Sequence, residues 1–200
     1  MSHDENKRPR KLCFVTIGAT ASFDSLISAC LEPRFLETLS SAGYSDLLVQ
    51  YGKDGKALFD KLVAEAEKLK QLGVAIQGFD FNRQGLTEEM RVAKGGPGDS
   101  EGVVISHAGS GTILAALRMD VPLIVVPNPD LLDNHQAELA EALEDQGYVV
   151  YGRLNNLSAA IAGSEKLRKS HKVWPPVNSG QHRRAKGLAG VMDEEVGFLD

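Results

Sequence analysis

The sequence predicts an α/β domain, a Rossmann-like, mostly parallel sheet with helices on both faces. Three observations carry that prediction. Six short apolar runs lack the polar alternation of a half-solvated strand. Between them lie segments whose apolar residues recur at helical spacing. Glycine or proline punctuates most of the junctions.

The elements follow in order. LCFVTI (Leu12 to Ile17) reads as a buried strand ending at Gly18. Phe23, Leu26, Ile27, Cys30 and Leu31 mark a helix, and Pro33 starts a second one carrying Phe35, Leu36 and Leu39, with Gly43 as its stop. DLLVQYG is a second strand. Leu58, Leu62, Ala66 and Leu69 mark the next helix, and VAIQGF the third strand. A short helix around Glu88 precedes a loop with Gly95, Gly96 and Gly98. VVIS is a fourth strand, TILAALRM its helix, and PLIVV a fifth strand closed by Pro-Asn-Pro. A helix from Asp133 to Gln146, a sixth strand YVVY and a helix from Leu157 to Lys169 complete the pattern. Residues 1–11 read as a disordered polar N-terminus, 12–170 as the Rossmann-like domain, and 171–200 as a linker and docking segment.

Composition narrows the function classes. Apolar content of 42% and charge of 24% suit a globular protein, and the net charge of −5 gives no reason to expect nucleic acid as a partner. The apolar runs are too short to span a membrane, and the polar first residues lack the apolar core of a signal peptide. Cys13 and Cys30 sit in core-like stretches, with no metal-binding or disulfide spacing, as in a reducing compartment. Charge is uneven towards the end. Ser164 to Gly190 holds seven Lys/Arg and one acid, and the last eight residues hold Asp193, Glu194, Glu195 and Asp200 with no base. That asymmetry fits a contact surface, or simply a solvated tail.

Three polar segments follow strands one, four and five. In open parallel sheets, ligands bind beyond the carboxyl ends of the strands. Gly18-Ala19-Thr20-Ala21-Ser22 opens a helix, where free N–H groups and the dipole favour an anion. Thr20 and Ser22 add hydroxyls, although Ser22 also fits as a simple N-cap. Ser106-His107-Ala108-Gly109-Ser110-Gly111-Thr112 opens another helix. Gly109 and Gly111 allow close backbone approach, and Ser110 and Thr112 place hydroxyls near a diphosphate. His107 is either a hydrogen-bonding site residue or a structural histidine. Asp133-Asn134-His135-Gln136 offers a cap and then side chains suited to sugar hydroxyls, or else a solvated first turn. No P-loop, GxGxxG, GxSxG elbow or DxD-type metal clamp is present, so no metal is expected.

Together the stretches FVTIGATASFDSLI, VISHAGSGTILAAL and PLIVVPNPDLLDNHQAELAEAL closely resemble the soluble subunit of the eukaryotic UDP-N-acetylglucosamine transferase of dolichol-linked oligosaccharide synthesis. The resemblance covers most of Leu12 to Gly163, and MDEEVGFLD is similar to the family's C-terminal segment. It implies the C-terminal half of a GT-B glycosyltransferase. It implies UDP-GlcNAc as donor, no cofactor, and a membrane-anchored partner subunit supplying the acceptor half. The acceptor would be GlcNAc-diphosphodolichol on the cytosolic face of the endoplasmic reticulum, with this chain cytoplasmic and reaching the membrane through its partner. Gly18, Thr20 and Ser22 would lie beside the diphosphate, and Gly109, Ser110, Gly111 and Thr112 would hold the phosphates and ribose side. Asn134, His135 and Gln136 would read the hexosamine. His107 is the fallback for a general base expected on the partner. Met192, Val196, Phe198 and Leu199 would dock the partner, with the basic stretch Lys166 to Lys172. Many family members carry an acid on the helix after the Gly loop to hold the ribose; here that position is Ala115. Two other readings fit parts of this pattern: a nucleotide-binding scaffold without turnover, and an epimerase, which needs two domains in one chain.

Overall fold

The computed structural model describes residues 9–19, 21–68, 73–131 and 135–173. The strands are β1 (Leu12–Thr16), β2 (Asp46–Gln50), β3 (Ala75–Phe79), β4 (Val103–His107), β5 (Leu123–Val126) and β6 (Val150–Tyr151). The helices are α1 (Asp24–Leu31), α2 (Pro33–Ser41), α3 (Lys56–Glu67), α4 (Thr87–Lys94), α5 (Ser110–Arg118), α6 (His135–Asp145) and α7 (Leu157–Val173). A single 3₁₀ turn, Leu154–Asn156, leads into α7. The strand order is β3-β2-β1-β4-β5-β6, and every described pairing is parallel, where the sequence reading allowed for a mixed sheet.

Alternation within each strand builds two cores. Cys13, Val15, Leu47, Val49, Val103, Ile105, Ile124 and Val126 face α1, α2, α3 and α7, against Phe23, Leu26, Leu36, Phe59 and Ile161. Leu12, Phe14, Val104, Leu123 and Val125 face α4, α5 and α6, against Met90, Ala93, Ile113, Leu139 and Leu143. β1, β4 and β5 are therefore covered on both faces, which is why they read as continuous apolar runs, while the edge strand β3 is largely exposed. Both cysteines are free, fully buried in the first core, and their thiols are pushed well up by burial.

The structure moves two boundaries. Arg10 and Lys11, assigned to the disordered leader, are fastened to the domain. The Arg10 N–H donates to Asp99 Oδ1 at 3.1 Å, and its carbonyl accepts from the Ser100 N–H at 2.8 Å. α7 runs to Val173, past the expected end at Lys169, because Ser170-His171-Lys172-Val173 holds no helix breaker.

The amino ends of the strands carry a charged cluster that locks α7 to the sheet. Lys11 Nζ donates to Glu165 Oε1 at 2.9 Å and to the Ala42 carbonyl at 2.9 Å. Tyr44 donates its hydroxyl proton to the same Glu165 oxygen at 3.1 Å. Arg168, with a side chain only 10% exposed, pairs with Glu165 at 2.5 Å and Glu101 at 3.2 Å, and donates to the Gly102 carbonyl at 2.6 Å. Partial burial of the Glu165 carboxyl opposes ionisation. The Lys11 hydrogen bond and the Arg168 charge outweigh it and hold the pKa below the usual range.

Candidate functional site

The topological switch lies between β1 and β4. Their following helices, α1 and α5, leave on opposite faces of the sheet, which opens a crevice between the two loops. Beneath it, three buried polar residues stand in register on adjacent strands: Gln50, Thr16 and Ser106. Thr16 donates its hydroxyl proton to the Gln50 side-chain oxygen and accepts from the Gly18 N–H at 3.2 Å. Ser106 Oγ donates to the His107 carbonyl at 2.6 Å. This polar row sets the exit angles of both loops. Thr16 and Gln50 each lie inside an apolar run, which hides this row in the sequence.

Both helices start without a side-chain cap. The N-cap of α1 is Phe23, so Ser22 does not cap the helix and its side chain is exposed. The N-cap of α5 is Gly109, and Ile113 is the first amide bonded back to it. Among the described residues no side chain caps either start, where the helix dipoles favour negative charge, and the first turn of α1 already carries Asp24. Ser110 and Thr112 are half-buried and Gly111 exposed in the first turn of α5, with no acid there. Thr20 lies outside the described residues. Ala115 is partly buried against the second core.

His107 closes β4 and holds the two loops apart. Its ring lies against Gly18 and Gly109, where an added Cβ would come under 3.0 Å from ring atoms. Gly18 has φ +79°, a conformation other residues adopt at a cost. His107 Nδ1 is buried and has no hydrogen-bond partner within normal geometry among the described residues. Burial lowers the imidazole pKa, and the Thr16 backbone pulls more weakly the other way. Burial thus favours the neutral ring. Folding stability should therefore fall as pH drops below about 6.5, because the unfolded chain binds this proton first. A ¹³C-detected titration should place the His107 midpoint below 6.5, and His107→Gln should flatten that limb of the stability profile.

The third loop, after β5, is tied to the first through a residue the sequence reading passed over. Asn128, only 7% exposed, donates Nδ2–H to the Ser22 carbonyl at 3.3 Å, and its Oδ1 accepts from the Asp130 N–H at 3.0 Å. Its own N–H donates to Gln136 Oε1 at 3.0 Å. Gln136 thus faces the loops, with one end of its amide already engaged. His135, in contrast, is 70% exposed and lies 3.6 Å from Glu138 on the helix surface. Asp133 and Asn134 lie outside the described residues, as do Met192, Val196, Phe198 and Leu199. Asn128→Ala should weaken the link between the first and third loops and speed amide exchange at Ser22 and Asp130, with about 1 kcal/mol or more lost in stability.

A Rossmann-order parallel sheet with two helix starts meeting at its switch point is an arrangement that nucleotide-binding α/β domains share, with a crevice suited to an anion. The glycosyltransferase family 28 C-terminal domain matches residues 12–172, and the chain belongs to that family. Among relatives, the UDP-N-acetylglucosamine transferase subunit ALG13 of Cryptococcus neoformans is 39% identical over 92% of this chain and 96% of its own length. The ALG13 subunit of Eremothecium gossypii is 35% identical over 83% of this chain and 86% of its own. A solution structure of ALG13 superposes with a TM-score of 0.61 at 27% identity, covering 88% of this chain and 94% of that one. MurG from Acinetobacter baumannii shares the fold, with a TM-score of 0.53 at 19% identity over 85% of this chain and 42% of its own. The fold and family read from the three sequence stretches are thereby borne out.

Proposed function

We propose that the chain is the donor-binding subunit of an inverting N-acetylglucosaminyltransferase. The family and the transferase-subunit relatives make it a UDP-GlcNAc-dependent glycosyltransferase. The single observation that carries the donor assignment is the pair of uncapped helix N-termini, α1 and α5, at the β1–β4 switch point. In this reading the diphosphate lies between Gly18, Thr20 and Ser22 on one side and Gly109 to Thr112 on the other. Asn134 and Gln136 read the hexosamine, and His107 fixes the spacing of the loops.

The reaction transfers GlcNAc to the 4-hydroxyl of GlcNAc-diphosphodolichol, giving a β-1,4 linkage. The acceptor oxygen bonds to the anomeric carbon as its bond to the β-phosphate oxygen breaks. UDP departs carrying the electron pair, and the hydroxyl proton passes to a base on the partner. This chain's contribution is to orient the donor and to stabilise the charge building on the leaving diphosphate with backbone N–H groups and hydroxyls. A membrane-anchored subunit supplies the acceptor half. Among the described residues no helix is long and apolar enough to cross a membrane.

The test is a titration of the full chain with UDP-GlcNAc, UDP and UDP-glucose, followed by NMR or calorimetry. Binding that needs uridine and falls severalfold in Ser110→Ala and Asn134→Ala is expected. Turnover on adding the partner separates a transferase from a nucleotide-binding scaffold.

A further inference from the structure

The donor reading gives no part to β2, yet the last residue of that strand is joined to the first glycine loop. Gln50 is 2% exposed and Thr16 is fully buried, and the two stand in register on adjacent parallel strands. An amide and a hydroxyl this deep in the fold need partners. A hydroxyl has one proton to give and two lone pairs to offer. Thr16 gives its proton to Gln50 Oε1, which leaves the Thr16 oxygen to accept from the Gly18 N–H at 3.2 Å. Gln50 thereby sets the direction of the bond that holds Gly18.

Ser106, the third member of the row, takes no share in this. Its hydroxyl donates to the His107 carbonyl at 2.6 Å. The row therefore divides: the β4 loop is anchored within its own strand, and the β1 loop is anchored from β2. The end of β2 is a firm anchor. Tyr51 donates its N–H to the Phe79 carbonyl at 2.9 Å, which ties it to β3. Gly52, at φ +72°, lies so close to Ile17 that an added Cβ would stand 3.0 Å from that side chain's δ-methyl. Gly18, at φ +79° against the His107 ring, is thus located by β2 on one side and β4 on the other.

We propose that Gln50 is a positioning residue of the donor site. It touches no substrate itself. It acts through the Thr16 hydroxyl on the loop that starts at Gly18, and so on the diphosphate which that loop receives in the donor reading, on which this inference rests.

Two nearly isosteric changes in the full chain, Gln50→Met and Thr16→Val, separate positioning from packing. Each alone leaves a buried polar group without its partner. Each should lower stability, speed amide exchange at Gly18 and weaken UDP binding, read by calorimetry, by roughly threefold to tenfold. Thr16→Ser keeps the hydroxyl and should bind UDP as the unchanged chain does. The double variant is decisive. With both partners apolar, most of the lost stability should return, because no polar group is stranded between the strands. UDP affinity should stay low, because the Gly18 N–H still has no oxygen to bind. In the enzyme assembled with its partner, KM for UDP-GlcNAc should rise in the double variant while KM for the lipid acceptor stays unchanged. Affinity that recovers along with stability in the double variant overturns the proposal and leaves the donor reading standing. So does UDP binding by Gln50→Met and Thr16→Val that matches the unchanged chain, or an equal rise in both KM values. A full chain that binds no uridine nucleotide removes the donor reading and the proposal together.

Discussion

Gly109→Ala is expected to cost about 2–3 kcal/mol of stability and to reduce UDP-sugar affinity at least tenfold. The backbone at Gly109 has φ −82°, which alanine adopts freely, so conformational strain is not the cause. The cause is space: the new methyl would lie inside contact distance of the His107 ring. That ring is held by the end of β4 and by Gly18 behind it, so it has little room to yield. Gly18→Ala meets the same ring from the other loop and adds a backbone cost of about 1 kcal/mol, since Gly18 has a positive φ. A double-mutant cycle separates the two terms. In a His107→Ala background the Gly109→Ala penalty should shrink below about 1 kcal/mol, whereas Gly18→Ala should keep its backbone share. Denaturant unfolding measures the first quantity and UDP titration the second. Additive penalties would show that the histidine does not set the gap between the loops.

The second large effect lies at the opposite end of the sheet. Arg168→Ala should destabilise the domain by about 3–5 kcal/mol, because it leaves Glu165 and Glu101 without their guanidinium partner in a poorly solvated place. Arg168→Lys should recover only part of this, since a lysine cannot reach Glu165, Glu101 and the Gly102 carbonyl at once. The pH dependence has a definite sign. Glu165 has its pKa lowered on folding, so its contribution is present above the ordinary glutamate value near 4.5 and is lost as pH falls through the lower folded value. Acid unfolding should therefore begin at higher pH in Lys11→Met, which removes the leading hydrogen bond to that carboxylate. An unchanged acid midpoint would show that the cluster carries no net stability.

How much could be read in advance depended on how local the signal was. β1, β4 and β5 were legible because a strand buried on both faces leaves an unbroken apolar run. Pro33 and Gly43 marked α2, since each acts through its own backbone. Gly18, His107 and Gly109 stood out in the sequence because they stand where strand gives way to helix. Their mutual contact was not, since it needs β1 and β4 to be neighbours. Thr16 and Gln50 were hidden for the same reason: each is polar alone and satisfied only by a strand 34 residues away. The Lys11–Glu165 pair spans 154 residues and leaves no local pattern. Asn128 was read as part of a turn, because an asparagine between prolines explains itself.

α7 gives the molecule a direction. It starts at Leu157, just past the carboxyl end of β6, and its later residues Glu165 and Arg168 bind Lys11 and Gly102, which precede β1 and β4. The helix thus runs the full depth of the domain, about 25 Å for its 17 residues. Val173, the last described residue, stands on the side of the sheet away from the glycine loops. A label attached at Val173 would therefore report from the pole of the domain opposite the crevice between the β1 and β4 loops.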